Sequence, residues 1–317
     1  MKSKMPKQGS WINWLASLPE SKRKTVLKSL TAEELEAIQR SWRFTARPEQ
    51  IAPEGDWRIW LIQSGRGWGK TRTGAEFVSY MAHTVPGIRI ALVGRTAADA
   101  RDVMVEGQSG IMSCSADKRP EYEPSKRRVT WPNGSMATTY SADKPDQLRG
   151  PQHHIAWADE LAAWSRWDTW DQLQFGLRLG DNPRCVVTTT PRPLARLRKI
   201  ANSPSTHVTR GSTMDNRQNL SQDFIEAIHD RYQGTSLGRQ ELDGELLSEL
   251  PGALFLRKDL DAYRATEAPS LRRIVVAVDP AVTSSDHSDE SGIIIAGLCS
   301  RGHLWVIEDL SMRGTPD

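Results

Sequence analysis

The sequence has no long hydrophobic run. None of its apolar stretches approaches the ~18–20 residues that a membrane-spanning helix needs. The basic N-terminus is not followed by the apolar core of a secretory signal peptide. These two absences argue against a membrane-spanning protein and against export through a secretory signal.

Cysteine is also scarce. Cys114, Cys185 and Cys299 are far apart and odd in number, and their spacing matches no metal-site pattern. We therefore expect a reducing compartment, in which thiols stay free. Cys185 lies in a strand-like run and is expected to pack in the core.

The rest of the composition is that of an ordinary globular protein, with 38% hydrophobic and 26% charged residues. A length of 317 residues allows one large domain or two, at ~100–200 residues per domain. The net charge of +3 and the pI near 8.8 permit a polyanionic partner without requiring one.

A glycine-rich loop follows the apolar run Ile59-Trp60-Leu61-Ile62. It reads Ser64-Gly65-Arg66-Gly67-Trp68-Gly69-Lys70-Thr71 and leads into helix-like residues. Strand, glycine-rich loop and helix form a phosphate-binding unit, because glycines let backbone N–H groups face an anion at the positive end of the helix. We expect Ser64 through Thr71 to bind nucleotide, with Lys70 at the β- and γ-phosphates and the Thr71 hydroxyl on Mg²⁺.

Ser64 departs from the usual pattern G-x-x-x-x-G-K-S/T, which has glycine at that position. Gly65 and Gly67 supply flexibility beside it, so the pattern is that of a variant phosphate loop. The alternative is a glycine-rich turn with a solvated lysine.

A glutamine precedes the first strand, in Arg47-Pro48-Glu49-Gln50. The Gln50 side chain offers a donor and an acceptor, which match the N6 and N7 positions of adenine. Its place shortly before the phosphate loop favours an adenine contact, and an ordinary loop glutamine is the alternative.

Two acids end a second apolar run, in His154-Ile155-Ala156-Trp157-Ala158-Asp159-Glu160. Ligands of α/β sheets bind at the carboxyl ends of the strands. We expect Asp159 to hold Mg²⁺ and Glu160 to polarise an attacking water. The alternative is that the two acids only cap the segment that follows.

A β-branched strand, Arg184-Cys185-Val186-Val187-Thr188-Thr189-Thr190, ends at the same edge of the expected sheet. Its threonines, Thr190 in particular, are candidates for sensing the γ-phosphate. A plain transition from strand to turn is the alternative.

The order of these elements predicts an α/β fold of the P-loop NTPase type with a mostly parallel sheet. A strand at 88–94, a helix at 96–105 and a hairpin around Asn133-Gly134 complete the expected core, and helices are expected at 221–232 and 236–250.

The composition changes after these helices. Strands are expected at 274–279, 291–298 and 303–309, and the first of them ends in Asp279-Pro280. An antiparallel meander that begins in this way is typical of the start of an RNase H-like nuclease domain. We therefore expect a helical accessory segment at 1–45, an ATPase domain at 46–250, a linker at 251–272 and the start of a nuclease domain at 273–317.

Over residues 42–309 the chain resembles the large terminase subunit of tailed phages, including relatives in prophages and gene-transfer agents. Besides the motifs above, the resemblance rests on Gln147-Leu148-Arg149-Gly150 and on the order in which all of them occur. It implies an ATPase of the additional-strand type. Such a motor uses ATP and Mg²⁺ to thread double-stranded DNA through a portal protein into a procapsid.

The resemblance also implies partners and a location. The partners are the portal, a small terminase subunit and further copies of the chain in a ring, and the location is the cytoplasm of the bacterial host cell. Arg149 matches the family's arginine finger, which reaches the γ-phosphate of a neighbouring subunit. The alternatives are a surface role for Arg149, or a contact in cis from Arg66.

The C-terminal part of the family cuts concatemeric DNA with divalent metal, Mg²⁺ or Mn²⁺. Asp279 matches one metal-binding catalytic acid of that nuclease, and further acids are expected beyond the last strand. Since the chain stops at Asp317, we expect the nuclease region to be incomplete. Basic runs at 118–119, 126–128 and 192–199 are candidates for DNA contact, although each could be a solvated surface.

Two other functions are compatible with the phosphate loop. A helicase or another nucleic-acid-stimulated ATPase would leave the meander after Asp279 unexplained. An inactive prophage remnant that only binds nucleotide would not need Lys70, Asp159 and Glu160 together.

Overall fold

Buried β-branched and aromatic residues form the central strands of the protein. A computed structural model describes residues 15, 17–33, 41–114, 119–232, 235–246, 260, 262–280 and 291–312. Contacts divide the chain into two units, Met1–Gly252 and Ala253–Asp317. Every helix within the described ranges is too short or too polar to cross a lipid bilayer.

The first unit contains an eight-stranded sheet in the order β3-β4-β5-β2-β6-β7-β1-β8. The strands from β5 to β8 in this order pair in parallel, and β3-β4 and β4-β5 pair antiparallel. Their bounds are β1 Ile59–Ser64, β2 Arg89–Gly94, β3 Glu121–Glu123, β4 Arg128–Thr130, β5 Met136–Ser141, β6 Ile155–Asp159, β7 Arg184–Thr189 and β8 Thr206–Gly211.

The central strands are buried on both faces. Every residue of β1 and of β6 is buried, which is the pattern of parallel strands covered by helices on both sides. Because side chains alternate along a strand, Trp60 and Ile62 enter one core cluster, and Ile59 and Leu61 enter the other. The sheet is thus the middle layer of three, and the predicted α/β fold with a mostly parallel sheet is confirmed.

The helices cover the two faces of this sheet. The long helix after the glycine-rich loop packs on the Trp60 face, and two shorter helices contribute Leu173 and Leu197 to the opposite cluster. The helical bounds are α1 Glu20–Lys28, α2 Trp42–Thr45, α3 Lys70–Thr84, α4 Ala97–Asp99, α5 Asp168–Gly176, α6 Ala195–Ala201, α7 Gln222–Tyr232 and α8 Ser236–Glu241.

The segment expected to be helical at 96–105 is confirmed as α4 followed by a π-helical turn, Ala100–Val105. The Thr96 side chain caps it by accepting a hydrogen bond from the Asp99 amide. The hairpin around Asn133-Gly134 is confirmed as the antiparallel pair β4-β5.

The expected helix at 236–250 is wrong in its C-terminal part, because α8 ends at Glu241. The carbonyls of Glu241 and Leu242 accept hydrogen bonds from the amides of Arg66 and Thr213. The chain then turns at Gly244, whose φ of +67° is left-handed. These long-range hydrogen bonds replace the bonds that the same carbonyls would form within a longer helix. Residues 247–250 lie outside the described ranges.

The second unit contains a three-stranded antiparallel sheet in the order β11-β10-β9. Its strands are β9 Leu271–Asp279, β10 Gly292–Cys299 and β11 Leu304–Asp309. The expected meander is confirmed, and its first strand begins three residues before Ile274. Its assignment to an RNase H-like domain remains a prediction.

Candidate nucleotide-binding site

Three adjacent parallel strands bring the sequence motifs to one edge of the sheet. β6, β7 and β1 are neighbours in that order. Since they are parallel, their carboxyl ends lie at the same edge. The loops that leave β1 after Ser64, β6 after Asp159 and β7 after Thr189 therefore begin side by side.

Lys70 lies at the centre of this edge. Gly69, with a φ of +102°, is the N-cap of α3, and Lys70 is the first residue of the helix. The Lys70 ammonium donates to the carbonyls of Ser64 and Gly65 at 3.1 and 3.2 Å and to the Thr190 hydroxyl at 3.1 Å. Its Nζ also lies 3.7 Å from Oε1 of Glu160, and the lysine side chain is only 8% exposed.

Glu160 adopts a backbone conformation that is uncommon for a residue with a side chain. Its φ and ψ are 49° and 47°, in the left-handed region. Its second carboxylate oxygen accepts a hydrogen bond from the Thr190 amide at 3.1 Å. Non-glycine residues in this region are concentrated at functional sites, where the surrounding structure holds them.

Asp159 is buried beside Glu160, and its Oδ1 accepts a hydrogen bond from the Thr188 hydroxyl at 2.5 Å. Burial raises the pKa of the Asp159 carboxyl, and the negative charge of Glu160 raises it further. A cation beside Asp159 would oppose both effects, because it stabilises the ionised carboxylate.

The sequence did not indicate that Thr188, named with its neighbours as a possible γ-phosphate sensor, and Trp157 orient Asp159. The Trp157 indole donates to the Thr188 hydroxyl at 2.8 Å, and that hydroxyl donates in turn to Asp159. Thr190, the residue after β7, hydrogen-bonds to Lys70, whereas the hydroxyl of Thr189, the last residue of β7, accepts from the Ala162 amide. The signal in the sequence was the alternation along β6, which places Trp157 and Asp159 on the same face.

The serine at position 64 is compatible with the local packing, whereas Gly65 is tightly constrained. A Cβ on Gly65 would lie 2.1 Å from the Leu242 carbonyl oxygen and 2.6 Å from the Thr213 hydroxyl. Ser64 is fully buried, and its hydroxyl has no hydrogen-bond partner in the described part of the chain. The close approach that requires glycine is thus displaced by one residue relative to the usual pattern.

Gln50 is buried beside the phosphate loop. Its Oε1 accepts from the Arg47 amide and its Nε2 donates to the Thr73 hydroxyl, both at 3.1 Å. The structure therefore places Gln50 against α3, with both ends of the amide bonded within the protein. Its contact with adenine remains a prediction.

The two candidate arginines lie at exposed positions. Arg66, in the phosphate loop, forms an ion pair with Glu241 at 2.6 Å, which raises the pKa of the guanidinium, and 71% of its side chain is exposed. Arg149 follows a 3₁₀ turn after β5, pairs with Asp146 at 3.1 Å and is 69% exposed. Neither forms a hydrogen bond or ion pair with Lys70 or Glu160 within the residues the structure describes.

Thr71 and Asp159 offer the oxygen ligands that Mg²⁺ prefers. The Thr71 hydroxyl has no hydrogen-bond partner among the described residues, and Asp159 is held by Thr188 through one oxygen only. One hydroxyl and one carboxylate suit a cation that keeps several waters and binds substrate phosphates. The residues therefore fit the expected metal.

Asp279 is far from the other site residues in the sequence. It belongs to the second unit and is the exposed last residue of β9. β9 and β11 are both antiparallel to β10, so Asp279 and Asp309 lie at the same end of that sheet. Hydrogen bonds from Ser311 lower the pKa of the Asp309 carboxyl. Among the described residues, no group of three acids, histidines or cysteines could hold a metal ion.

Comparisons with known proteins identify the family and the fold. The family model described as "Terminase large subunit, T4likevirus-type, N-terminal" matches residues 61–262. No curated protein matches the chain.

Solved structures share the fold at low sequence identity. The large terminase ATPase domain of Thermus phage P74-26 is 14% identical, with a TM-score of 0.53, over 68% of this chain and 98% of that one. The large terminase of a thermophilic bacteriophage in complex with ADP is 16% identical, with a TM-score of 0.51, over 90% of this chain and 68% of that one. The family match covers more than half of the sequence, and the chain therefore belongs to the terminase large subunit family.

Proposed function

We propose that this chain is the ATP-hydrolysing subunit of a DNA-packaging motor. The observation that carries the proposal is the position of Lys70, buried between the carbonyls of its own loop, the Thr190 hydroxyl and the Glu160 carboxylate. Family membership supports a packaging ATPase, and two of the solved relatives are described as an ATPase domain and as an ADP complex.

The phosphate loop would bind the triphosphate through backbone amides of Gly67 to Gly69 and the N-terminus of α3, since the amides of Gly65 and Arg66 donate to the carbonyls of Gly211 and Glu241. Lys70 would exchange its bonds to the Ser64 and Gly65 carbonyls for bonds to the β- and γ-phosphates. Thr71 and Asp159 would hold Mg²⁺, which supplies neutralisation of the charge that develops on the phosphoryl oxygens. Gln50 would contact adenine after releasing Thr73.

Glu160 would orient the water that attacks the γ-phosphorus. Its backbone conformation and its bond from the Thr190 amide fix the carboxylate at the end of β6. Thr190 contacts both Lys70 and Glu160, so it can register the presence of the γ-phosphate. The position of the phosphate would thereby determine the position of the general base.

Arg149 is our candidate for the arginine finger supplied to a neighbouring copy in a homo-oligomeric ring. Its exposed guanidinium has a partner, Asp146, that is also exposed, so the pair is weakly held and can separate. Arg66 is the alternative in cis, and its ion pair with Glu241 would first have to break. A finger in trans makes hydrolysis depend on assembly.

The DNA surface is proposed to bind phosphates without reading sequence, as packaging requires. Arg127 lines a cavity of about 280 Å³ together with Arg101 and Lys144, which concentrates positive charge near β5. This cavity makes the run 126–128 the preferred of the expected basic runs. Arg196 and the rest of 192–199 are a second candidate, and Lys118 lies outside the described residues.

The nuclease region is proposed on a separate observation, the antiparallel meander whose first strand, β9, ends at Asp279. In that proposal Asp279 holds one divalent metal, Mg²⁺ or Mn²⁺, together with acids beyond the described residues. The portal protein, the small terminase subunit and the host cytoplasm follow from the family and are proposed with it.

A binding measurement tests the proposed ATPase. The wild-type chain should bind a fluorescent ATP analogue and hydrolyse ATP, and Lys70→Ala should abolish both, because the phosphates lose their buried cation. Arg178→Ala, at an exposed arginine after α5, is the control and should behave as wild type. A wild-type chain that neither binds nor hydrolyses ATP would contradict the proposal.

A further inference from the structure

Side chains from outside the phosphate loop occupy three consecutive carbonyl oxygens of that loop. The Thr213 hydroxyl donates to the Arg66 carbonyl at 2.7 Å. The Asn216 amide donates to the Gly67 carbonyl at 2.6 Å. The Arg47 guanidinium donates to the Trp68 carbonyl at 2.5 Å.

Arg47 connects these contacts to one another. Its second guanidinium nitrogen donates to Oδ1 of Asn216 at 2.9 Å, and the guanidinium lies 4.8 Å from the centre of the Trp68 ring. Trp68 is fully buried, and its indole donates to Asp215 at 3.2 Å. The loop is thus held by a residue before β1 and by the turn after β8.

Occupied carbonyls have a direct consequence for anion binding. A phosphate loop must point its N–H groups at the anion, and a carbonyl that rotates inward would repel it. Glycines at 65, 67 and 69 give the free loop many conformations, and ordering them costs free energy when ligand binds. If the carbonyls of the loop are already hydrogen-bonded outward, the loop is ordered before the ligand arrives, and binding costs less conformational free energy.

We propose that Arg47, Thr213 and Asn216 form a carbonyl clamp, a set of positioning residues that keep the amides of Gly67, Trp68 and Gly69, which share peptide units with the bonded carbonyls, facing the nucleotide phosphates. They do not touch the nucleotide themselves. The inference rests on the proposed ATPase and adds the residues that set its affinity for phosphate.

The clamp separates the roles of two neighbouring residues. Arg47 bonds to the phosphate loop, whereas Gln50, three positions later, is the candidate for the base. Loss of Arg47 should therefore weaken ATP and GTP equally, and loss of Gln50 should change the preference between them.

Arg184 provides a matched control for Arg47, because it makes similar contacts away from the phosphate loop. It stacks on Trp57 at 4.4 Å and donates to the Gly55 carbonyl at 3.0 Å, as Arg47 does with Trp68. Arg184 begins β7, at the edge of the sheet opposite the site. Arg184→Lys thus removes the same kind of contacts without touching the loop.

Hydrogen–deuterium exchange of the ligand-free protein tests the clamp without relying on ATP. Arg47→Lys and Asn216→Asp should each accelerate exchange of the protected amides of this loop, those of Gly65 and Arg66, by about tenfold, since one net hydrogen bond is lost. Asn216→Asp keeps the size of the side chain and the acceptor for Arg47, but it removes the donor to Gly67 and adds a negative charge. Arg184→Lys should leave this segment unchanged, and unaltered exchange in both clamp variants would overturn the inference.

Nucleotide binding provides the second measurement. Both clamp variants should lower the affinities for ATP and for GTP by about tenfold, so the ratio of the two affinities should stay unchanged. A changed ratio would assign Arg47 to base recognition and contradict the clamp. If the wild type binds no nucleotide while loop exchange still accelerates in the variants, the proposed ATPase fails and the clamp stands. If the wild type binds ATP and the variants match it, the clamp fails alone.

Discussion

The ammonium group of Lys70 lies 3.7 Å from the Glu160 carboxylate, and Thr190 bonds to both. The lysine comes from the loop after β1 and the acid from the end of β6, with β7 between the two strands. In this arrangement the cation that would bind the γ-phosphate holds the acid that would activate water. Binding of a triphosphate between them would replace their mutual attraction with contacts to phosphate.

Thr188 is expected to contribute to stability through a buried hydrogen-bond chain. Thr188→Val would leave the Trp157 indole and one oxygen of Asp159 without their partner. Each unsatisfied buried group costs about 1–3 kcal/mol, so the free energy of unfolding should fall by at least that amount. Urea denaturation measures the loss, and Thr188→Ser should recover most of it because the hydroxyl is kept.

Gly65 and Ser64 should respond in opposite ways to substitution. Gly65→Ala would place a methyl group 2.1 Å from the Leu242 carbonyl, so the loop or the turn at 242 must move. We expect destabilisation by about 1–3 kcal/mol together with weaker ATP binding. Ser64→Gly restores the usual pattern and should bind ATP as wild type does. Calorimetric titration with ATP compares the two, and a fully functional Gly65→Ala protein would contradict the packing described for the loop.

His153 should make stability depend on pH. It is buried next to Tyr140, and burial lowers its pKa from 6.5 to about 4, with smaller effects of Arg89 and His154 in the same direction. The folded protein therefore resists protonation that the unfolded chain accepts below pH 6.5. The contribution of neutral His153 to the free energy of unfolding is complete above pH 6.5. It is lost progressively toward pH 4, by up to roughly 3 kcal/mol.

Denaturation at a series of pH values isolates this contribution. His153→Phe should lose less stability than wild type between pH 6.5 and 4, because its side chain takes up no proton. The control is His207→Gln, at an exposed histidine in β8, which should follow the wild-type curve. Parallel curves for wild type and His153→Phe would show that His153 is not the group responsible.

The parts of the fold that were predictable are those in which a local pattern suffices. The run Ile59–Ser64, the glycines and α3 follow one another in the chain, so their pattern alone indicates a strand, loop and helix. β8 was missed because it is an edge strand with alternating exposed residues and little apolar character. Its sequence resembles a loop until β1 is available as a partner.

The parts of the site that were not predictable depend on contacts between distant segments. Arg47 was considered only as a neighbour of Gln50, and Asn216 was not considered, yet the two side chains meet at the loop. Helix α8 ends earlier than predicted because the carbonyls of Glu241 and Leu242 accept hydrogen bonds from the backbone amides of Arg66 and Thr213, which are distant in sequence. Helical propensity cannot reveal such partners, since they belong to the tertiary structure.

ATP turnover of Glu160→Gln tests the central claim most directly. The amide keeps the size of the side chain but cannot activate water, so hydrolysis should fall by about 10²–10⁴-fold while ATP affinity stays close to that of the wild type. Measuring both quantities on the same preparation separates chemistry from binding. Retained hydrolysis in this variant would contradict the assignment of Glu160, and with it the pairing of Lys70 and Glu160 as the core of the motor.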